Sequence, residues 1–243
     1  MMISEVAPGV YRARGTEVNW YLIVEGTDVT LVDSGYPGDV ERVLASIREI
    51  GRRPEDVRAL LLTHAHVDHM GAANHLHEAF GVPVWTDERE AAHARREHLE
   101  QANRSDVIRN LWRPGVLPWV LKISRVGATS DVSIPSAVAF PNDGPLDVPG
   151  RPVPVPTRGH TSGHTVYHLP AVGAVLTGDE LVTGHALLRG DGPQKLPAFF
   201  NRGDQAAAIE KIGGIDAGLI LPGHGEPLHE AAAQAAQRAL APR

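Results

Sequence analysis

Thr63-His64-Ala65-His66-Val67-Asp68-His69 is the stretch on which the fold turns, and it directly follows the apolar run Ala59-Leu60-Leu61-Leu62. It places four metal-ligating side chains within six residues. At this composition such a pattern arises by chance in about two sequences per thousand of this length, so coincidence is a poor account of it. If the backbone is extended through Val67, the two-residue period of a strand turns His64 and His66 to the same side, able to converge on one ion. Asp68 and His69 fall at the turn into a helix, point differently, and can face a second ion beside the first.

Working outward, the residues read as strands alternating with short helices. Asn19 to Val24 and Val29 to Val32 are rich in β-branched and aromatic residues and flank a turn at Gly26-Thr27-Asp28, a hairpin pattern. From Asp39 to Ile50 the apolar positions Val40, Val43, Leu44, Ile47 and Ile50 recur at helical spacing, with Gly51 as a stop. Ala59 to Leu62 reads as a buried strand. A helix from about Ala72 to Phe80, a strand Val82 to Thr86 and a charged helix from about Glu88 to Asn103 follow, which suggests a layered α/β domain. Periodicity fades between about 105 and 150, where an insertion, partly helical and centred on 105–135, is expected. Pro149, Pro152, Pro154 and Pro156 then suggest an extended edge segment. Val166 to Leu169, Ala174 to Thr177 and Leu219 to Leu221 read as further strands, so the second half weakly echoes the first and a pseudo-symmetric sandwich over 1–243, a single domain, is expected.

One ion needs about four ligands, and a catalytic zinc keeps a position for water. The remaining ligands should come from other strand ends. His160 in Gly159-His160-Thr161-Ser162-Gly163-His164, Asp179 in Thr177-Gly178-Asp179 and His224 in Pro222-Gly223-His224-Gly225 stand out, each beside a glycine.

With Asp33 after a strand, the cluster at 64–69, His160, Asp179 and His224 in this order, the sequence resembles the metallo-β-lactamase-fold hydrolase superfamily. The resembling residues run from 33 to 224 and are specific for fold and metal site, much less so for substrate. The resemblance implies an α/β fold (α+β by some schemes): a four-layer αββα sandwich with a dinuclear metal site at the sheet edge. It implies that His64, His66 and His160 hold the first ion, that Asp68, His69 and His224 hold the second, and that Asp179 bridges them. Asp33 matches an acid that supports the site from behind, fixing a ligand imidazole through its other ring nitrogen. Two divalent ions, zinc foremost with iron or manganese as alternatives, would share a water and hold its hydroxide for attack on an ester, thioester, lactone or amide carbonyl. Asp68 would act catalytically, orienting that hydroxide or passing its proton to the leaving group.

Departures from known branches narrow the reading. Principal-class β-lactamases place Cys where this chain has Asp179. Gly159 to His164 looks like the glyoxalase II pattern, yet only 19 residues follow His224, where those enzymes carry helices that contact glutathione. Acyl-homoserine lactonases carry a tyrosine after the bridging acid, whereas here the stretch is Glu180-Leu181-Val182-Thr183. The alternative from another class is iron redox chemistry on the same fold, as in persulfide dioxygenase-like proteins.

The 243 residues include no cysteine, so disulfides, thiolate nucleophiles and Cys-based zinc sites are excluded. Lys and Arg number 23 against 29 Asp and Glu, a net charge of −6 without a basic run, so nucleic acid is not an expected partner; a small-molecule substrate is. No apolar stretch has the length of a membrane span, and the first residues lack the pattern of a secretory signal, so a cytoplasmic location is expected. His164 is expected in a packing or supporting role. His75, His77, His93 and His98 read as solvated helix faces. Tyr36, Trp112, Trp119, Phe199 and Phe200 are weighed as pocket lining against plain core, and His185, Arg189 and Lys195 as substrate contacts in the loop after Asp179.

Overall fold

A computed structural model of the chain describes residues 2–102 and 104–242. Strands β1 (Met2–Ala7) and β2 (Val10–Arg14) pair antiparallel and lead into the expected hairpin of β3 (Asn19–Glu25) and β4 (Asp28–Val32). β1 and β2 are not among the expected strands. In β2 the alternation is masked by Arg12, which is buried because Asn19, the Gly225 carbonyl and Glu226 take up its guanidinium, partners that no local pattern reveals. Helix α1 (Val40–Glu49) crosses to β5 (Val57–Leu61), and α2 (Ala73–Phe80) to β6 (Val84–Thr86), each strand parallel to its predecessor. Then come α3 (Glu88–Ala94), α4 (Arg104–Ile108), α5 (Val116–Ser124) and β7 (Ala137–Ala139), which completes a seven-stranded sheet in chain order.

The expected charged helix from Glu88 is a correction: α3 stops at Ala94, and Arg96 takes a left-handed conformation (φ 63°) that turns the chain back over the site. Asn103, its expected end, lies outside the described residues, as do Met1 and Arg243. His93 is corrected with it. It is buried rather than solvated, because its ring is bonded to Glu90 and to the Glu100 N–H.

The second sheet holds β8 (Val153–Pro156), β9 (Thr165–Leu169), β10 (Ala174–Gly178), β11 (Leu219–Pro222) and β12 (Leu228–His229), in the order β12-β11-β10-β9-β8. β8 is the proline-rich segment and lies at an edge, where its missing N–H groups cost no ladder bonds. Helices α6 (Gln205–Gly213) and α7 (Ala232–Leu240) pack together on this sheet's outer face. Neither was legible in the sequence pattern. The buried stripe of α7 is all alanine, which contrasts weakly with polar neighbours, while α6 is short, with Ala208, Ile209 and Ile212 as its buried apolar residues, and takes its start from Asp204, whose carboxylate accepts the Ala206 and Ala207 N–H groups at 3.0 and 3.1 Å.

The period of two decides the layers. In β3, Trp20 and Leu22 face α1 and α2, packing with Val43, Ile47 and Leu76, while Tyr21 and Ile23 face the other sheet. In the second sheet, Leu176, Leu219 and Leu221 meet Tyr21, Val32 and Leu61, while Val175 and Ile220 face Ile209, Ile212 and Ala236 of the outer helices. Strands buried on both faces explain the continuous apolar runs. The result is an αββα sandwich. Among the described residues no helix is long and apolar enough to cross a membrane.

Candidate metal centre

Asp33 follows β4, residues 64–69 follow β5, Asp179 follows β10 and His224 follows β11, so two parallel strand pairs deliver most of the set from their carboxyl ends. Open α/β sheets bind ligands at such ends, where the loops diverge. His160 arrives on the loop before β9. Two glycines make the approach possible. Gly178 has φ 49°, and a Cβ on it would lie 2.7 Å from Thr63 Oγ1; a Cβ on Gly223 would lie 2.6 Å from Asp179 Oδ1 and 2.8 Å from His69 Cε1.

His64 Nε2 lies 3.1 Å from His66 Nδ1, which lies 3.0 Å from His160 Nε2. In each ring the other nitrogen is held by an acceptor. His64 Nδ1 donates to Thr63 Oγ1 at 3.0 Å, since that hydroxyl gives its own proton to Asp33. His66 Nε2 donates to the Glu100 carbonyl at 2.7 Å, and His160 Nδ1 to Asn201 Oδ1 at 3.2 Å, the Asn201 amide group being committed to Leu196 and Gln205. Three lone pairs therefore converge with no proton between them. Burial, together with neighbouring imidazoles, pushes the His64 and His160 pKa values well down, and burial lowers that of His66, so all three are neutral.

The other group is carboxylate-rich. His69 Nδ1 donates to Asp33 Oδ2 at 2.9 Å, and Asp33 also accepts from the Thr63 N–H and hydroxyl, both at 2.8 Å. His224 Nδ1 donates to the Glu17 carbonyl at 2.6 Å. Their Nε2 atoms face inward: that of His69 lies 3.3 Å from Asp179 Oδ1 and 3.8 Å from Asp68 Oδ2, and that of His224 lies 3.4 Å from Asp68 Oδ2 and 3.3 Å from Asp179 Oδ2. Asp179 Oδ2 is also 3.7 Å from His160 Nε2, so Asp179 stands between the groups. Burial lowers the affinity of His224 for a proton, but Asp179 and Asp68 outweigh it and raise its pKa to about 10. Burial raises that of Asp68, yet His69 and His224 hold it below the usual carboxylate range.

The residues fit divalent cations on two independent grounds. His69 Nε2 and Asp179 Oδ1 are buried without a hydrogen-bond partner, a cost that a cation between them removes. Ligand atoms of His64-His66-His160, His64-His69-Asp179 and Asp68-His69-His224 each lie within 4.8 Å of one another. All seven side chains singled out in the sequence are brought together, with Asp33 behind them.

His164 accepts the Asp179 N–H on Nε2 at 3.3 Å, its Nδ1 facing Thr157 Oγ1 at 3.0 Å, so it orients that acid's backbone. Glu180 accepts from the Gly159 and His160 N–H groups at 3.1 and 3.2 Å, while burial pushes its pKa up to about 7. Tyr36 is buried beside Asp68; burial and the charges of Asp68 and Asp179 keep its phenol protonated. His185 lies 5.1 Å from the ring of His224, under Trp119 and Phe200. His75, His77, His98, Arg189 and Lys195 are exposed, and Trp112, 76 % exposed, is neither core nor pocket lining. The sequence reading missed Thr63, Glu100, Asn201 and the Glu17 carbonyl, the acceptors that aim the rings. Only Thr63, next to His64, carried a local signal.

A fold of this kind, closing on paired His and Asp groups, defines a class, and the sequence agrees: the chain belongs to the metallo-beta-lactamase superfamily, whose profile it matches over residues 13–224. Family, fold and ligand groups together make it a metal-dependent hydrolase. It is 27% identical over 236 residues to the probable metallo-hydrolase YflN of Bacillus subtilis, covering 92% of this chain and 86% of that one. A shorter stretch of 58 residues, 24% of this chain and 25% of the relative, is 40% identical to the hydroxyacylglutathione hydrolase GloC of Haemophilus influenzae. Among solved structures, the metallo-beta-lactamase family protein TTHA1429 of Thermus thermophilus superposes with a TM-score of 0.66 at 23% identity, over 96% of this chain and 79% of that one, a likeness of fold.

Proposed function

We propose that the chain hydrolyses a small-molecule ester, thioester, lactone or amide with two divalent cations, zinc suiting the donors best. His64, His66 and His160 would hold one ion and Asp68, His69 and His224 the other, with Asp179 bridging. The single observation that carries this is the meeting of three neutral imidazole lone pairs, 3.0 and 3.1 Å apart, whose protons are all held on the far side of the rings. Bound there, such ions lower the pKa of a water and polarise a carbonyl.

The chain's own residues would do the rest. Asp68 is the most open carboxylate of the set, its side chain 16 % exposed against 6 % for Asp179, and is therefore the one placed to accept a proton and return it to a leaving group. A cavity of about 360 Å³, lined by Arg14, Glu17, Trp119, Thr183, His185 and Glu226, adjoins His224 through His185 and has the volume of a small-ligand site. Both signs of charge line it, which supports a small polar substrate over a nucleic-acid strand.

The test is a panel of thioesters, lactones and aryl esters assayed with purified protein whose metal content is measured in parallel. Hydrolysis should fall to background in His66→Ala and after chelation, and return to wild type on adding zinc. Full turnover by either metal-free wild type or His66→Ala would overturn the reading.

A further inference from the structure

Glu90, buried on α3, is bonded to both loops that carry the three-imidazole cluster. Its Oε1 accepts from the Ala65 N–H, between His64 and His66, at 2.7 Å, and from His93 Nδ1 at 2.8 Å. Its Oε2 accepts from the Thr161 hydroxyl at 2.7 Å and the Gly163 N–H at 3.1 Å, just beyond His160. His93 carries the constraint further: its Nε2 accepts the Glu100 N–H at 3.1 Å, and the carbonyl of the same Glu100 takes the His66 Nε2 proton at 2.7 Å. The Glu100 side chain closes the circuit by accepting the Ser162 N–H at 2.7 Å.

We propose that Glu90 is the positioning residue of the His64-His66-His160 site: one carboxylate with four donors sets the distance between the two ligand loops and, through His93 and Glu100, the rotation of the His66 ring. It touches no reacting atom and acts through the ligands, so the assignment rests on the reading that this cluster takes a divalent cation. A carboxylate is required because every partner donates. In Glu90→Gln an amide N–H replaces one acceptor. The Thr161 hydroxyl can turn, but the Ala65 or the Gly163 N–H faces a donor whichever way the amide lies, and His93, whose Nε2 is taken by the Glu100 N–H, cannot move its proton off Nδ1 without a second conflict. The contact has no slack, since a Cβ on Gly163 would sit 2.4 Å from the Glu90 backbone nitrogen.

Cobalt(II) titration of the metal-free full-length chain tests this, because a three-imidazole site and a carboxylate-rich site give different visible bands. Wild type should take two equivalents. Glu90→Gln should bind cobalt roughly 10- to 100-fold more weakly at the three-imidazole site, the usual scale for losing an outer partner of a ligand, with the Asp68-His69-His224 site within about threefold of wild type. Thr161→Val removes one donor without creating a conflict. It should weaken the same site by roughly threefold to tenfold, and it decides the matter if Glu90→Gln does not fold. In wild type, nitrogen NMR should find His93 as the neutral Nδ1–H tautomer, which bonding on one side to Glu90 and on the other to the Glu100 N–H demands. Wild type that takes no cobalt overturns the metal reading and this assignment with it. Two equivalents in wild type, with variants that bind both unchanged or lose both sites equally, overturn the Glu90 assignment alone.

Discussion

Replacing Asp33 by Asn tests whether the rings are aimed from behind. Asp33 is buried and accepts three hydrogen bonds, from the Thr63 N–H and hydroxyl at 2.8 Å each and from His69 Nδ1 at 2.9 Å. Its backbone is left-handed, φ 60°, a conformation that Asn also adopts readily, so the substitution changes chemistry and spares the turn. With the amide oxygen kept on the Thr63 N–H, the amide nitrogen faces the Thr63 hydroxyl, which can accept, and His69 Nδ1–H, which cannot. His69 must either leave a buried donor unsatisfied, at about 1–3 kcal/mol, or move its proton to Nε2, the atom that faces Asp179 and Asp68. The second course blocks ligation. Loss of such a partner lowers metal affinity by roughly 10- to 100-fold, or about 1.4–2.8 kcal/mol, here at the His69 site. Zinc content after dialysis against a buffered free-zinc series reads the affinity, and urea denaturation of the metal-free protein reads the fold. Substituted protein that retains both ions at wild-type affinity and turns over at the wild-type rate would refute the argument.

Acid stability should report Glu90. Burial raises its pKa, but His93, Thr161 and the Ala65 N–H outweigh this and lower it from 4.5 to about 2. A depressed folded-state pKa means stability that is present above about pH 4.5 and lost as the pH falls toward 2, worth about 3 kcal/mol. The stability gap between metal-free wild type and Glu90→Gln should therefore shrink on acidification in urea melts; a gap independent of pH contradicts it. Gly223→Ala forces a methyl group against Asp179 and His69 and should cost about 1–3 kcal/mol together with bound metal, read by melting temperature and metal stoichiometry. Unchanged stoichiometry would show that the loop simply yields. Ser46→Ala strips the acceptor 3.0 Å from the buried Trp20 indole N–H and should lower stability by about 1–3 kcal/mol in urea without touching hydrolysis. A parallel loss of activity would mean that α1 communicates with the site.

Much of this protein is written in short-range pattern. The dense cluster after an apolar strand, and single acids or imidazoles at the ends of later strands, are local features, because a loop that must present a ligand at a strand's end needs that residue and a small neighbour at that position. The central strands were legible for the same reason: buried on both faces, they are uninterrupted apolar runs. Strand β2 was hidden because Arg12 breaks its pattern and is reconciled to burial only by Asn19, Gly225 and Glu226. α7 was hidden because alanine marks a helix face weakly.

What the chain's order of residues could not disclose is how each imidazole is turned. His93 read as one more histidine on a charged helix, whereas the fold buries it between Glu90 and Glu100. Ligand identity is a property of single residues and survives in a string of letters. Ligand orientation is a property of pairs such as His66 with Glu100 or His160 with Asn201, set by hydrogen bonds between segments dozens of positions apart, and those pairs come into being only when the loops at the ends of each sheet fold over one another.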